Sequence, residues 1–248
     1  MIDHQADASP QVYARVGGVL YLIIIVAGVL GELLVRGKMV VAGDATATAN
    51  NIMASPLLWR IGIAGDLIMH ACDVPLMVVF YVLLRLVNRE LALLAVLFNL
   101  VQTAVLVANK LTLLIPLFLL GSAEYLKVFE PRQLYTLTYL FIRLHGHGFS
   151  VGLIFFGFTC LILGYLIFRS GYLPKVLGVL MQIAGLSYLT NSFTLLLAPA
   201  IADLMFPAIL VPAFIAEMSL CLWLIVKGVN VEKWRSRARN GQLSRSPL

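Results

Sequence analysis

Asp66, His70 and Asp73 stand four and three residues apart inside Gly62 to Val87, a stretch apolar enough to cross a bilayer. On a helix these spacings keep the three side chains within about 60° of one another, on one face. A carboxylate near the bilayer centre costs about 2.5–3.5 kcal/mol on insertion scales, so such residues normally face a bundle interior or a wet cavity. An imidazole flanked by two carboxylates is suited to hold a metal ion or to relay a proton. This face is therefore the leading candidate site.

Other apolar stretches carry polar groups that can join it. Asn99, Gln102, Asn109 and Lys110 fall within about 100° of arc on the next span. Glu32 ends the first span, Glu217 sits near the middle of the last, and His145 and His147 stand at the head of the fourth. Lys110 is the cation that Asp66, Asp73 or Glu217 can pair with, which removes much of the cost of burying them. The predicted pocket for a small molecule, ion or proton comprises Glu32, Asp66, His70, Asp73, Asn109, Lys110, His145 and Glu217. A divalent metal is a cofactor reading of the same pocket, with His70, His145 and Asp66 as ligands to zinc, manganese or iron. Asp66 and His70 have the one-turn spacing that two ligands on one helix need, although HExxH is absent. His145 and His147 point about 200° apart on a helix, so only one joins the site unless that helix starts after Gly148. The competing reading is a polar core of ion pairs that fixes helix packing.

Two other chemistries fail on context. Gly148-Phe-Ser-Val-Gly152 matches the G-x-S-x-G pattern of serine hydrolases, which acts only at a strand-to-helix elbow. Here it heads a membrane helix, and Gly148 with Gly152 reads as a small-residue pair for close helix approach. A rhomboid-like dyad needs a histidine on the last core helix, where this chain has only Glu217. Haem is disfavoured because His70 is the only histidine at depth and has acidic neighbours. Trp59, Trp223 and Trp234 lie near span ends and read as interface anchors.

Composition sets the class of protein that holds these residues. Of 248 residues 61% are hydrophobic and 12% charged, with a mean hydropathy of +0.95; soluble domains are about 25% charged. The fold expected is all-α, a polytopic bundle with six transmembrane helices at about 15–35, 58–87, 91–119, 145–169, 174–198 and 203–227. Residues 1–14 form an N-terminal segment, 15–227 the membrane domain and 228–248 a basic tail. The run from Val16 to Val35 is long enough to remain a span rather than a cleaved leader. Pro75 and Pro116 lie inside helices two and three and imply kinks. Cys72, Cys160 and Cys221 read as buried small hydrophobes.

Lysine and arginine sort by side. With both termini cytoplasmic, eleven fall inside (Arg15, Arg85, Arg89, Arg169, Lys175 and Lys227 to Arg245), and six outside (Arg36, Lys38, Arg60, Lys127, Arg132, Arg143). That asymmetry predicts a plasma (inner) membrane protein with cytoplasmic termini and a pocket in the outer half of the bilayer. The tail, with Lys227, Lys233, Arg235, Arg237, Arg239 and Arg245, is expected to touch anionic lipid headgroups. The net charge of +6 is concentrated near span ends, so nucleic acid is not an expected partner. Of the outer loops, Gly37 to Pro56 holds a short helix that Asp44 can cap, and Gly121 to Arg143 reads as an interfacial amphipathic segment.

Several motifs carry a family resemblance. Val41-Ala-Gly-Asp-Ala-Thr-Ala-Thr-Ala-Asn-Asn-Ile52, His145-Gly-His-Gly-Phe149, Phe155-Phe-Gly157, Arg169-Ser-Gly-Tyr-Leu-Pro174, Gly178 and Gly185-Leu-Ser-Tyr-Leu189 resemble a bacterial membrane family, the domain of unknown function 4386 family. The resemblance covers nearly all of the chain except its polar ends. It implies a multi-helix membrane protein and supplies no activity or site residues. Three functions stand: a protein that binds or moves a small molecule, ion or proton; a membrane-embedded metal-dependent hydrolase for a lipid-like substrate; and a non-catalytic assembly subunit.

Overall fold

The computed structural model describes residues 9–243; residues 1–8 and 244–248, with the tail's Arg245, lie outside it. Among the described residues all regular structure is helical. Pro10 opens α1 (Pro10–Leu30), where its missing N–H would have no partner, and Ser9 accepts from the Gln11 N–H at 3.3 Å. The first span then widens into a π turn over Gly31–Arg36 before a last α turn, Gly37–Met39. The remaining elements are α2 (Ala45–Ala54), α3 (Pro56–Leu84), α4 (Arg89–Asn109), α5 (Leu111–Leu119), α6 (Pro131–Ser170), α7 (Lys175–Leu197), α8 (Pro199–Met205), α9 (Val211–Val226) and α10 (Val231–Leu243).

Six stretches are long and apolar enough to span: Pro10–Met39, Pro56–Leu84, Arg89–Leu119, Pro131–Ser170, Lys175–Leu197 and Ala208–Val226. Their outward faces leave Leu57, Ile68, Leu100 and Leu186 exposed, a surface that lipid covers. The first span starts and the sixth ends at one end of the bundle. There the Gln11 amide donates to Lys227 O at 2.9 Å and accepts from Val229 N–H at 3.1 Å. We call this the terminal end and its opposite the loop end.

Lipid supplies no hydrophobic drive between helices, so close backbone approach matters. Spans four and five zip together through glycines seven residues apart. A Cβ on Gly164 would lie 2.6 Å from Gly178 O, one on Gly178 2.6 Å from Gly164 O, and one on Gly185 2.7 Å from Gly157 O. Gly148 and Gly152 admit Asn109 and Leu106 of the third span in the same way.

Three details differ from the sequence reading. The fourth span begins at Pro131, not near residue 145, because Glu130 and Gln133 form a capping box around Pro131 and no residue after it breaks the helix. Only Glu124–Val128, a 3-10 turn, remains as a loop before it. The third span breaks at Lys110, six residues before Pro116, and Thr112 Oγ1 donates to the freed Asn109 carbonyl at 2.6 Å. Trp59 is 1% exposed, so it is a core residue and not an interface anchor; its Nε1–H donates to Leu113 O at 2.8 Å.

The tail folds back as α10. Trp234 Nε1–H donates to Leu83 O at 3.2 Å, and Arg237 donates to Leu86 O at 3.1 Å and to Arg169 O and Ser170 O at 3.0 Å each. These carbonyls lie at or just beyond the C-terminal ends of α3 and α6, where a helix leaves carbonyls without intrahelical donors. Tyr172 OH also donates to Leu83 O, at 2.6 Å, and burial pushes its phenol well above the ordinary value.

Candidate functional site

Two apolar clusters fill the bundle, one towards each end. The larger, at the terminal end, includes Leu76, Phe80, Ala95, Leu163 and Leu220; the smaller, at the loop end, includes Val35, Trp59, Ile63, Leu113 and Ile142. Between them runs a polar band. On α3 it takes Asp66, His70 and Asp73; on α4 and the break after it, Asn99, Gln102, Thr103 and Lys110; on α6, His145.

The loop-end part of the band is a charge network. Asp66 is fully buried and accepts from Arg36 Nη1 at 2.7 Å, Arg36 Nη2 at 3.4 Å and Lys110 Nζ at 2.8 Å. Arg36 also reaches Glu32 at 2.7 Å through Nε. Two cations and two carboxylates balance. The π turn sets this geometry, since it carries both Glu32 and Arg36, and the absence of a side chain on Gly31 admits Asp66, whose Oδ1 would lie 2.9 Å from a Cβ there. The break at Lys110 turns that lysine into the same cluster.

His145 belongs to a second group. Asn109 Nδ2 lies 3.0 Å from its Nδ1 and donates to its backbone carbonyl at 2.8 Å. His147 instead bonds back to Arg143 O of its own helix at 3.1 Å. Both histidines lie on one continuous helix, so they diverge as the 200° spacing requires.

The third group lines a cavity of about 280 Å³ to which all six spans contribute. Its wall is mainly apolar, with Tyr21, His70, Asp73, Gln102, Tyr188 and Glu217 as the polar members. Asn99 Nδ2 donates to Asp73 Oδ2 at 2.9 Å and Thr103 Oγ1 to the same oxygen at 2.5 Å. Tyr188 OH donates to Glu217 Oε1. His70 Nε2 and Gln102 Oε1 are buried and have no hydrogen-bond partner among the described residues. At its edge the cavity meets Val29 and Phe214, which are 38% and 50% exposed on the outside of the bundle.

The eight predicted pocket residues thus fall into three sets: Glu32, Asp66 and Lys110; Asn109 and His145; His70, Asp73 and Glu217. Lys110 pairs with Asp66 rather than with Asp73 or Glu217. His70, His145 and Asp66 do not converge as metal ligands, and no group of three His, Cys, Asp or Glu suited to a metal occurs among the described residues. Asp66 faces two cations instead, and the ring of His145 is engaged by Asn109.

The family model described as Domain of unknown function (DUF4386) matches residues 16–228. The chain belongs to this family. An uncharacterized protein of Archaeoglobus fulgidus is 28% identical over 166 residues, which cover 67% of this chain and 83% of that protein. That relative is archaeal, so membership of the DUF4386 family does not establish a bacterial origin. No solved structure matches.

Sequence reasoning missed Arg36, Thr103, Tyr21 and Tyr188. Arg36 was assigned to the outer charge count, yet its spacing of four from Glu32 is an ion-pair spacing on a helix. Tyr188 stands within Gly185-Leu-Ser-Tyr-Leu189, a stretch inside the matched residues 16–228. Tyr21 carries no local signal, because its partner Glu217 comes from another span; Thr103 stands one turn after Asn99, which donates to it at 3.4 Å, while its own donation crosses to Asp73.

Proposed function

We propose that this DUF4386 protein binds a small molecule within the bilayer, in the cavity to which its six spans contribute. An apolar wall with a few fixed polar groups is the ordinary make-up of a small-molecule site. The observation that carries the reading is the pair His70 Nε2 and Gln102 Oε1, buried polar atoms of two residues that line the cavity, neither with a partner among the described residues. An unpaired buried polar group costs about 1–3 kcal/mol, which a ligand with matching hydrogen-bonding atoms relieves. The Glu32–Arg36–Asp66–Lys110 network serves as a positioning frame that locks spans one, two and three around that wall.

Entry is from the lipid, between the first and sixth spans, where Val29 and Phe214 reach the outside. The basic asymmetry supports cytoplasmic termini at the plasma membrane, with this edge in the outer half of the bilayer. The exposed face of α10, with Lys233, Arg235 and Arg239, lies against anionic headgroups. The test is native mass spectrometry of protein extracted in mild detergent. A small molecule should be retained by the parent protein and lost from His70→Ala and Gln102→Leu, with folded yield nearly unchanged. If the parent protein retains nothing and no small amphiphile raises its melting temperature, the reading is wrong.

A further inference from the structure

We propose that the cavity takes a lipophilic organic cation: an amine or quaternary ammonium group on a small apolar body. This rests on the cavity being a binding site and names the class of its occupant. The argument is a charge census of the wall. Asp73 reaches the cavity from the second span and Glu217 from the sixth, at 8% and 9% exposure. Neither makes an ion pair; the pairs among the described residues are Arg36 with Glu32, Arg36 with Asp66, Lys110 with Asp66 and Lys127 with Glu124. Half-buried Arg36 and buried Lys110 are therefore committed to carboxylates off the cavity wall, Arg36 to Glu32 and Asp66 and Lys110 to Asp66. On the wall itself His70 is the only basic side chain.

The hydrogen bonds to these carboxyl groups come from neutral donors. Asn99 and Thr103 share one oxygen of Asp73, and Tyr188 serves Glu217. Such donors orient a carboxyl group but do not balance its charge. An anionic occupant meets two acidic groups in a low-dielectric cavity and is excluded. A neutral one leaves both without a counter-charge, whereas a cation supplies it.

The apolar wall makes the same selection. Tyr21 and Phe80 pack edge to face, with centroids 6.3 Å apart, and Phe156 and Tyr188 pack at 5.2 Å; all four rings line the cavity. Ring faces attract a desolvated ammonium through the quadrupole of the π-system. The volume of 280 Å³ admits roughly nine or ten non-hydrogen atoms at the ~30 Å³ that a water occupies.

Benzyltrimethylammonium, with about eleven non-hydrogen atoms, comes within one or two atoms of that capacity and carries the charge, and neopentylbenzene is its neutral isostere, with carbon in place of nitrogen. Thermal-shift titrations of the full chain with these two and with phenylacetate test the proposal. The expected result is stabilisation by the cation at concentrations about tenfold below those needed for the isostere, and none by phenylacetate. Glu217→Gln with Asp73→Asn should erase the cation's advantage while the isostere still binds, which shows that the cavity persists. If that double variant does not fold, Glu217→Gln alone should reduce the advantage. Equal or better binding of the isostere or of phenylacetate to the parent protein overturns the cation class and leaves the binding site standing. No shift with any of the three overturns both.

Discussion

Replacing Lys110 with Met removes one charged hydrogen bond from Asp66, the 2.8 Å contact through Nζ, and leaves the two from Arg36 in place. Hydrogen bonds to charged groups contribute about 1.5–3 kcal/mol each, which sets the expected loss. Asp66→Asn is worse, because two cations then face a neutral amide; breaking a buried ion pair in this way costs about 3–5 kcal/mol. The double variant leaves Arg36 paired with Glu32 and has no unbalanced lysine, so its loss should fall short of the sum by about 1.5–3 kcal/mol. Combining Lys110→Met with Asp73→Asn or Glu217→Gln should instead be additive to within about 0.5 kcal/mol, since neither acid touches the lysine. The assay is reversible unfolding in mixed micelles, followed by circular dichroism. Additivity for Lys110 with Asp66, or equal coupling to Asp73, would refute the assignment of Asp66 as the partner.

Gly178→Val should cost about 3 kcal/mol or more in the same assay, because a Cβ there meets the Gly164 carbonyl at 2.6 Å. Gly146→Ala, with nothing within 4 Å of its Cβ, should be neutral, and an equal loss at both positions would dismiss the glycine zipper. A cysteine placed at Ala47 should react with an impermeant maleimide from outside intact cells; labelling only after permeabilisation reverses the proposed topology. Arg237→Ala removes three hydrogen bonds to helix-end carbonyls and should release α10 to limited proteolysis without lowering cavity binding. Unchanged protection would mean that Trp234 alone docks the tail.

The spans were legible in the sequence because lipid solvation demands long apolar runs, whatever the tertiary contacts. The Asp66, His70 and Asp73 face was legible for the same reason, since charge in such a run has few places to go. What the sequence withheld was pairing. Asp66 finds Arg36 through a π turn, and local spacing in an α-helix gives no warning of the extra residue per turn. Tyr21 and Tyr188 look like ordinary apolar wall until the first, fifth and sixth spans converge on Glu217. The fourth span was read short because Arg132, Arg143, His145 and two glycines lower its hydropathy, yet none of them stops a helix that a capping box has started.

That helix has a mechanical consequence. Forty residues at 1.5 Å each make a rod of about 60 Å, twice the roughly 30 Å hydrocarbon thickness. Its loop-end length is fastened sideways, since Tyr139 OH accepts from Gly43 N–H at 2.7 Å and α2 packs along it. The same rod carries Phe149, Leu153 and Phe156 on the cavity wall. A push or a grip on the loop end is therefore delivered to the cavity as the tilt of a lever, with no joint between to absorb it.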